Sequence, residues 1–358
     1  MVSILNASLA LALTAILFLA RPVVILTTWD PGLWVFHRYR EKRNFGISIA
    51  FLLSISVFLG QPEPLAKTLI FIAGVFALAA VLLNPSFAFP ALQHVVVVPA
   101  AEVTDAQLET AFFPGDTQVI VVEVDQERRA YPLRKMVVAR HLVHDFVGET
   151  PVLVSFCALC NSSIVFQAAV QGKSRLFSVV GVFRRNLIME DHLTQTLWQQ
   201  ATGTAIHGKE VGASLMMLPS YQLSWGEAQK MEGMTLALEP STSRPSVFSR
   251  AKSFELLEKT TQQVLLPGKT DLTNELDPHE IVYGIQLNGI SKAYPLSRLT
   301  GLQVFTDRIG RIEIELAYDP DQQLLLAKRN DSGENLIVER HWWLGWKEFH
   351  PDTTIYRK

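Results

Sequence analysis

One stretch of this 358-residue chain is written twice, and the repetition constrains the fold more than any other feature. Val119-Ile-Val-Val-Glu-Val-Asp-Gln-Glu-Arg-Arg-Ala-Tyr-Pro-Leu133 aligns without gaps on Val282-Tyr-Gly-Ile-Gln-Leu-Asn-Gly-Ile-Ser-Lys-Ala-Tyr-Pro-Leu296. Both copies read as strand, Asp or Asn turn, strand, and Asn288-Gly289 is a strong hairpin signal. With one residue of slippage, Asp145-Phe-Val-Gly148 then matches Asp307-Arg-Ile-Gly310, and Val152 to Phe156 falls on Ile314 to Tyr318. The expected fold class is α+β, mainly β, with two related β-rich halves behind N-terminal transmembrane helices. The boundaries are an anchor over 1–88, a first half over 89–238, a connector over 239–278 and a shorter, degenerate second half over 279–358. The connector begins with the Pro- and Ser-rich loop Glu239 to Ser246, continues with a short helix over Ala251 to Gln263, and turns at Leu266-Pro-Gly-Lys269.

The anchor is an expectation from hydropathy. Ile4 to Ala20, Phe45 to Leu59 and Leu65 to Leu83 are apolar runs, and a bilayer crossing takes about 20 residues, which the third run approaches best. The lipid bilayer is thus the first partner to expect. A cleaved signal peptide is disfavoured, because no positive charge precedes the first run and two more runs follow it. Arg38, Arg40, Lys42 and Arg43 place the segment between the first two runs in the cytoplasm by the positive-inside rule. The acidic flank from Asn84 to Glu127 argues the other way, so the side of the soluble domain stays open. A net charge of −2 gives no electrostatic reason to expect nucleic acid.

The repeat also serves as an internal control on chemistry. The two cysteines, Cys157 and Cys160, follow the strand-like run Pro151 to Phe156, and the second half has Asp319 and Gln322 in their places. No His follows Cys160, against covalent c-type haem, and no second Cys-x-x-Cys appears, against a four-cysteine zinc site. The residues after the pair, Asn161 to Phe166, are β-branched and aromatic, which disfavours a thioredoxin-like helix start. What remains is a redox dithiol, a mixed metal site or a structural staple. His141 and His144, three apart on a helical turn, make a Cys157, Cys160, His141, His144 ligand set for a transition-metal ion geometrically possible, beside the plainer reading of one core and one surface histidine. Cys157, Cys160, His141, Asp145 and Asp191 are the catalytic candidates. If the segment after Asp191 is extended, Thr194, Trp198 and Gln200 share one face and line a pocket. The bland alternative makes Trp198 core and the others solvated. No phosphate-binding loop, dinucleotide fingerprint, nucleophile elbow or His-Glu-x-x-His motif is present.

Five ordered motifs carry a family resemblance: Ala130-Tyr-Pro-Leu133, Arg140-His-Leu-Val-His-Asp145, Phe156-Cys-Ala-Leu-Cys-Asn161, Asp191-His-Leu-Thr-Gln-Thr-Leu-Trp-Gln-Gln200 and Leu218-Pro219. In this order they resemble the DUF3179 family of bacterial and archaeal proteins, and the closing Trp343 to Thr353 looks like that family's C-terminal motif. The resemblance spans about residues 90 to 358; with the apolar runs before it, the expectation is a multi-pass protein of the bacterial inner membrane. Arg140 stands where the family tends to have His, His144 where it has Asn, Ala158 where it has Pro and His192 where it has Arg. The family brings no reaction with it. The sequence therefore leads to a membrane-anchored protein with a thiol-centred metal or redox site, or to a non-catalytic envelope binding or scaffold module stapled by its Cys-x-x-Cys, with the protein or small-molecule partner open.

Overall fold

The fold is described from a computed structural model, over residues 2–26, 28–60, 63–83, 91–104, 115–241, 259, 265, 267–272, 275–301 and 303–357. Two compact units partition the chain: Met1–Ala88 with Val180–Arg184, and Phe89–Val179 with Arg185–Lys358. The helix expected over 251–263 falls outside the described residues save Lys259, as does most of the Pro- and Ser-rich loop before it.

The N-terminal stretch of the first unit holds three helices: α1 (Val2–Leu26), α2 (Pro31–Leu59) and α3 (Pro64–Leu83). The basic cluster, read as a connection between apolar runs, lies within the continuous α2. Small residues meet inside, with Ala7, Ala10, Ala50, Ala66 and Ala73 buried, and a Cβ on Gly46 would stand 3.0 Å from Leu17. Large apolar side chains point outward, among them Phe45, Phe51, Phe58, Leu65, Phe71 and Leu78. Among the described residues no helix is long and apolar enough to cross a membrane, so the expected spans are not shown.

The second unit is mainly β. The first repeat copy forms the hairpin Gln118–Val124 and Glu127–Pro132, with Val119 opposite Pro132. The second forms Ile281–Leu287 and Ile290–Pro295, with Val282 opposite Pro295. Both turns have two residues at positive φ, Asp125 (50°) and Gln126 (70°) against Asn288 (51°) and Gly289 (77°), the geometry that suits the right-handed strand twist. Each hairpin is followed by a three-stranded antiparallel sheet. In the first copy it is Leu142–Val147, Thr150–Cys157 and Ser162–Gln167; in the second it is Val304–Ile309, Ile312–Asp319 and Leu324–Arg329. Corresponding residues build the two cores: Ile120, Val122, Tyr131, Val147, Val152 and Val154 in one, Tyr283, Ile285, Tyr294, Ile309, Ile314 and Leu316 in the other.

A half-buried ion pair and a tyrosine tie hairpin to sheet at the same place in each copy. Asp145 accepts from Tyr131 (2.8 Å) and Arg129 (2.7 Å). Asp307 accepts from Tyr294 (3.0 Å) and pairs with Lys292 (2.6 Å). Between the copies the chain adds the four-stranded sheet Ala205–His207, Leu197–Gln199, Asn186–Asp191, Phe177–Phe183, in that spatial order. The copies are not self-contained. The C-terminal strand Glu339–Trp342 pairs with Ile281–Leu287, and its Trp342 amide donates to the carbonyl of Cys160 in the first copy (2.8 Å).

Candidate functional site

The cysteines sit in a hairpin loop. Cys157 closes the strand Thr150–Cys157 opposite Ser162, leaving Ala158 to Asn161 to turn the chain, with Asn161 at φ 47°, a conformation Asn tolerates. The segment after the loop is a strand, Ser162–Gln167, so no helix N-terminus acts on the sulfurs. The second copy turns identically between Asp319 and Leu324 but without sulfur. There Asp319 accepts from the amides of Asp321 and Gln322, and Gln322 accepts from the Ser224 amide.

Both thiols are free and fully buried, and they hydrogen-bond to each other. Around Cys160 runs a buried polar chain whose direction is fixed by the backbone at both ends. The Ala201 amide donates to Asn186 Oδ1 (2.8 Å), so the other Asn186 terminus is the NH2 group. That group donates to Cys160 Sγ (3.1 Å) and to Gln200 Oε1 (2.7 Å). Gln200 Nε2 donates to Ser155 Oγ (3.0 Å), which donates to the Ile164 carbonyl (2.7 Å). Gln199 Nε2 donates to Asn186 Oδ1 (2.9 Å) and locks it further. Ser162 Oγ lies 3.4 Å from Cys160 Sγ.

The C-terminal segment forms the remaining wall. Helix Trp343–Phe349 presses Gly345 against Cys160, and a Cβ there would stand 2.4 Å from Cys160 Cβ. His341 is buried, its Nε2 lies 3.1 Å from Glu339 Oε2, and its Nδ1 has no hydrogen-bond partner among the described residues. Burial pushes the Cys160 thiol up, yet the hydrogen bond from Cys157, the nearby His341, and the hydrogen bonds of Ser162 and Asn186 outweigh it and bring it down to about 7. Burial, with the hydrogen bond to Cys160, raises Cys157. One sulfur is thus poised to ionise while the other holds the proton.

The other expected residues are placed elsewhere. Among the described residues no group of three or more His, Cys, Asp or Glu is arranged to hold a metal ion, so Cys157, Cys160, His141 and His144 do not assemble as ligands. His141 Nδ1 lies 3.3 Å from the Phe156 carbonyl, and His144 Nε2 accepts from the Phe177 amide (3.0 Å). Burial lowers both to about 4, against the upward pull of the Phe156 and Phe177 carbonyls, so both are neutral near neutral pH. Asp145 is engaged in the Arg129 and Tyr131 clasp, opposite Val152 and away from the loop. Asp191 accepts from the amides of Leu193, Thr194 and Thr196, from the Thr194 hydroxyl and from Trp198 Nε1. Burial would raise its carboxyl, but these donors hold it below the ordinary value.

That Asp191 turn also breaks the extended segment expected to line a pocket. The strand there is only Leu197–Gln199. Thr194 stays in the turn, Trp198 is core against Phe177, and Gln200 alone joins the polar chain at Cys160, through Asn186. Sequence reasoning missed Asn186, Ser155, Ser162, His341 and Glu339. A usable signal for Asn186 was a fully polar amide opening the apolar strand Asn186–Asp191.

A family model described as "Protein of unknown function (DUF3179)" matches residues 88–339. His341, Gly345 and the rest of the closing helix lie beyond the matched stretch. No curated protein and no solved structure matches the chain.

Proposed function

The chain belongs to the DUF3179 family, and on that footing we propose that Cys157 and Cys160 are a dithiol/disulfide centre with Cys160 as the attacking sulfur. In the forward direction the Cys160 thiolate attacks one sulfur of a partner disulfide and expels the other as a thiolate. Cys157 then gives up its proton and attacks Cys160, forming the internal disulfide and releasing the partner as a dithiol, so two electrons and two protons pass to the partner. Because neither sulfur is exposed, exchange requires the Ala158 to Asn161 loop to open.

The observation that carries this reading is the Asn186 donor on Cys160, held by a polar chain with no free end. A packing cysteine needs no such network, and burying five polar side chains costs stability unless every one is satisfied. The second reading is the non-catalytic scaffold module, favoured by the second copy, which braces the same loop with Asp319 and Gln322. Equilibration in glutathione buffers separates the two. The redox reading expects reversible titration of the pair. It also expects Asn186→Ala to lower the potential by about 30 to 60 mV, because the reduced thiolate loses a charge-assisted hydrogen bond worth about 1.5–3 kcal/mol. Thiols that stay reduced at every ratio, with Cys157→Ser plus Cys160→Ser losing only stability, leave the scaffold reading standing.

The matched registers support an ancestral duplication in which one copy gained the thiols. The buried alanines of α1 to α3, together with the many exposed phenylalanines and leucines, support seating that unit in a lipid bilayer, where helices associate through small residues.

A further inference from the structure

We propose that one face of α2 binds anionic phospholipid headgroups; this rests on the bilayer seating of the helical unit and adds which lipids the unit selects. At about 3.6 residues per turn, Trp34, Arg38, Lys42, Phe45, Ile49 and Leu52 fall within an arc of about 80°. All are exposed, Trp34 at 56% and Phe45 at 67%. Gly46, Ala50 and Val57 fall on the adjoining arc and are buried, with Gly46 against Leu17 of α1, so the stripe borders the packed face without entering it. Along the axis it runs from an aromatic through two cations to apolar side chains.

That order sets the class of partner. Arg38 and Lys42 are one turn apart, a rise of about 6 Å, and the headgroup layer of one leaflet is about 5–7 Å deep. The two cations therefore reach phosphates of a single layer, while Phe45, Ile49 and Leu52, next on the stripe, meet the acyl chains. The Arg38 guanidinium lies over the Trp34 ring, 5.9 Å from its centroid, and an indole belongs at that same interfacial depth. Charge decides between headgroups. Residues 37–44 carry Arg38, Arg40, Lys42 and Arg43 against Glu41 alone, with Asp30 just before the helix. A choline headgroup brings its own cation to the phosphate, whereas an anionic headgroup leaves the phosphate charge for the protein to meet. Nucleic acid has the charge but nothing to cover Phe45 to Leu52.

Fluorescence can read this face directly, because Trp29 and Trp34 are exposed while Trp198, Trp225, Trp342, Trp343 and Trp346, the rest of the chain's tryptophans, are buried. Full-length Trp29→Phe protein is reconstituted in phosphatidylcholine vesicles that carry the same minor fraction of brominated phosphatidylglycerol or of brominated phosphatidylcholine. Stronger quenching by the brominated phosphatidylglycerol is expected, relieved by far less unlabelled phosphatidylglycerol than phosphatidylcholine. Each cation is expected to contribute about fivefold to that preference, so Arg38→Gln plus Lys42→Gln should erase most of it. High salt should erase it too, an arm that needs no charge variant. Equal quenching by the two lipids overturns the proposal and leaves the bilayer seating standing; no quenching by either overturns both. A preference that survives both the double substitution and high salt overturns it as well, as does relief by glycerol 1-phosphate in solution, which would make the ligand a soluble phosphate.

Discussion

Asn186 and His341 do for Cys160 what the sequence around a Cys-x-x-Cys usually does through a helix N-terminus: they put positive partial charge against a fully buried sulfur. The consequence is a pH profile. Alkylation requires the thiolate, so the rate rises with pH and reaches half its maximum at the thiol's own value. For Cys160 that midpoint is expected near pH 7 rather than at the ordinary 9.0, measured with a small neutral reagent on Cys157→Ser protein to isolate one sulfur. The same substitution removes the Cys157 hydrogen bond, so the single variant sets a baseline slightly above 7. Asn186→Leu and His341→Leu are both expected to move that baseline up, the first by withdrawing a donor, the second by removing the imidazole whose electrostatic pull helps lower the thiol. A profile centred near 9, unmoved by either change, would mean the polar chain serves packing alone. The cysteines and Gln200 could be singled out from sequence because they lie in dense polar motifs. Asn186 offered only its place as a polar amide opening an apolar strand, and His341 offered nothing, since each meets Cys160 across a long stretch of chain and not through any local pattern.

The hairpin and its following sheet form the element that the chain uses twice, and its stabilising device is legible in both copies once the register is known. Ala-Tyr-Pro-Leu recurs in the sequence because the tyrosine must reach an aspartate on the next sheet: Tyr131 to Asp145, Tyr294 to Asp307. Read alone, Asp145 beside two histidines looks like an acid/base group; read against Asp307, which has no cysteine or histidine beside it in sequence, it is a clasp. Tyr131→Phe and Tyr294→Phe are each expected to cost about 1.5–3 kcal/mol, the worth of a hydrogen bond to a buried charge, measured by denaturant unfolding. Neither should alter Cys160 alkylation. A large change in thiol reactivity from Tyr131→Phe would return Asp145 to the site. Local pattern failed after Asp191, where alternation promised a strand. A carboxylate with five donors competes with the ladder for the backbone amides of Leu193, Thr194 and Thr196, and a turn results.

At the scale of the whole molecule, duplication and composition pull apart. The two copies are matched in register, yet the site in the first is walled by the strand and helix that close the chain, so neither half holds the complete constellation. The helical unit, for its part, has a surface that water would not select. Its interior combines five buried alanines with Leu17, Leu33 and Val57, its outer faces carry phenylalanine and leucine, and Trp29 and Trp34 stand exposed at the start of α2 beside the basic cluster, where an interfacial anchor would sit. In a water-soluble helical bundle the large apolar side chains face in, because each fully buried one contributes about 1.5–3 kcal/mol. On the proposed bilayer seating, the full-length protein should stay with membranes through high salt and alkaline carbonate and leave only with detergent. Phe51→Lys, Phe58→Lys and Phe71→Lys on the outward faces should each shift protein into the soluble fraction, while Ala66→Leu, which enlarges an interior contact, should destabilise the helical unit without releasing it. Release of the unmodified protein by carbonate would show that those outer faces meet a protein partner in place of lipid.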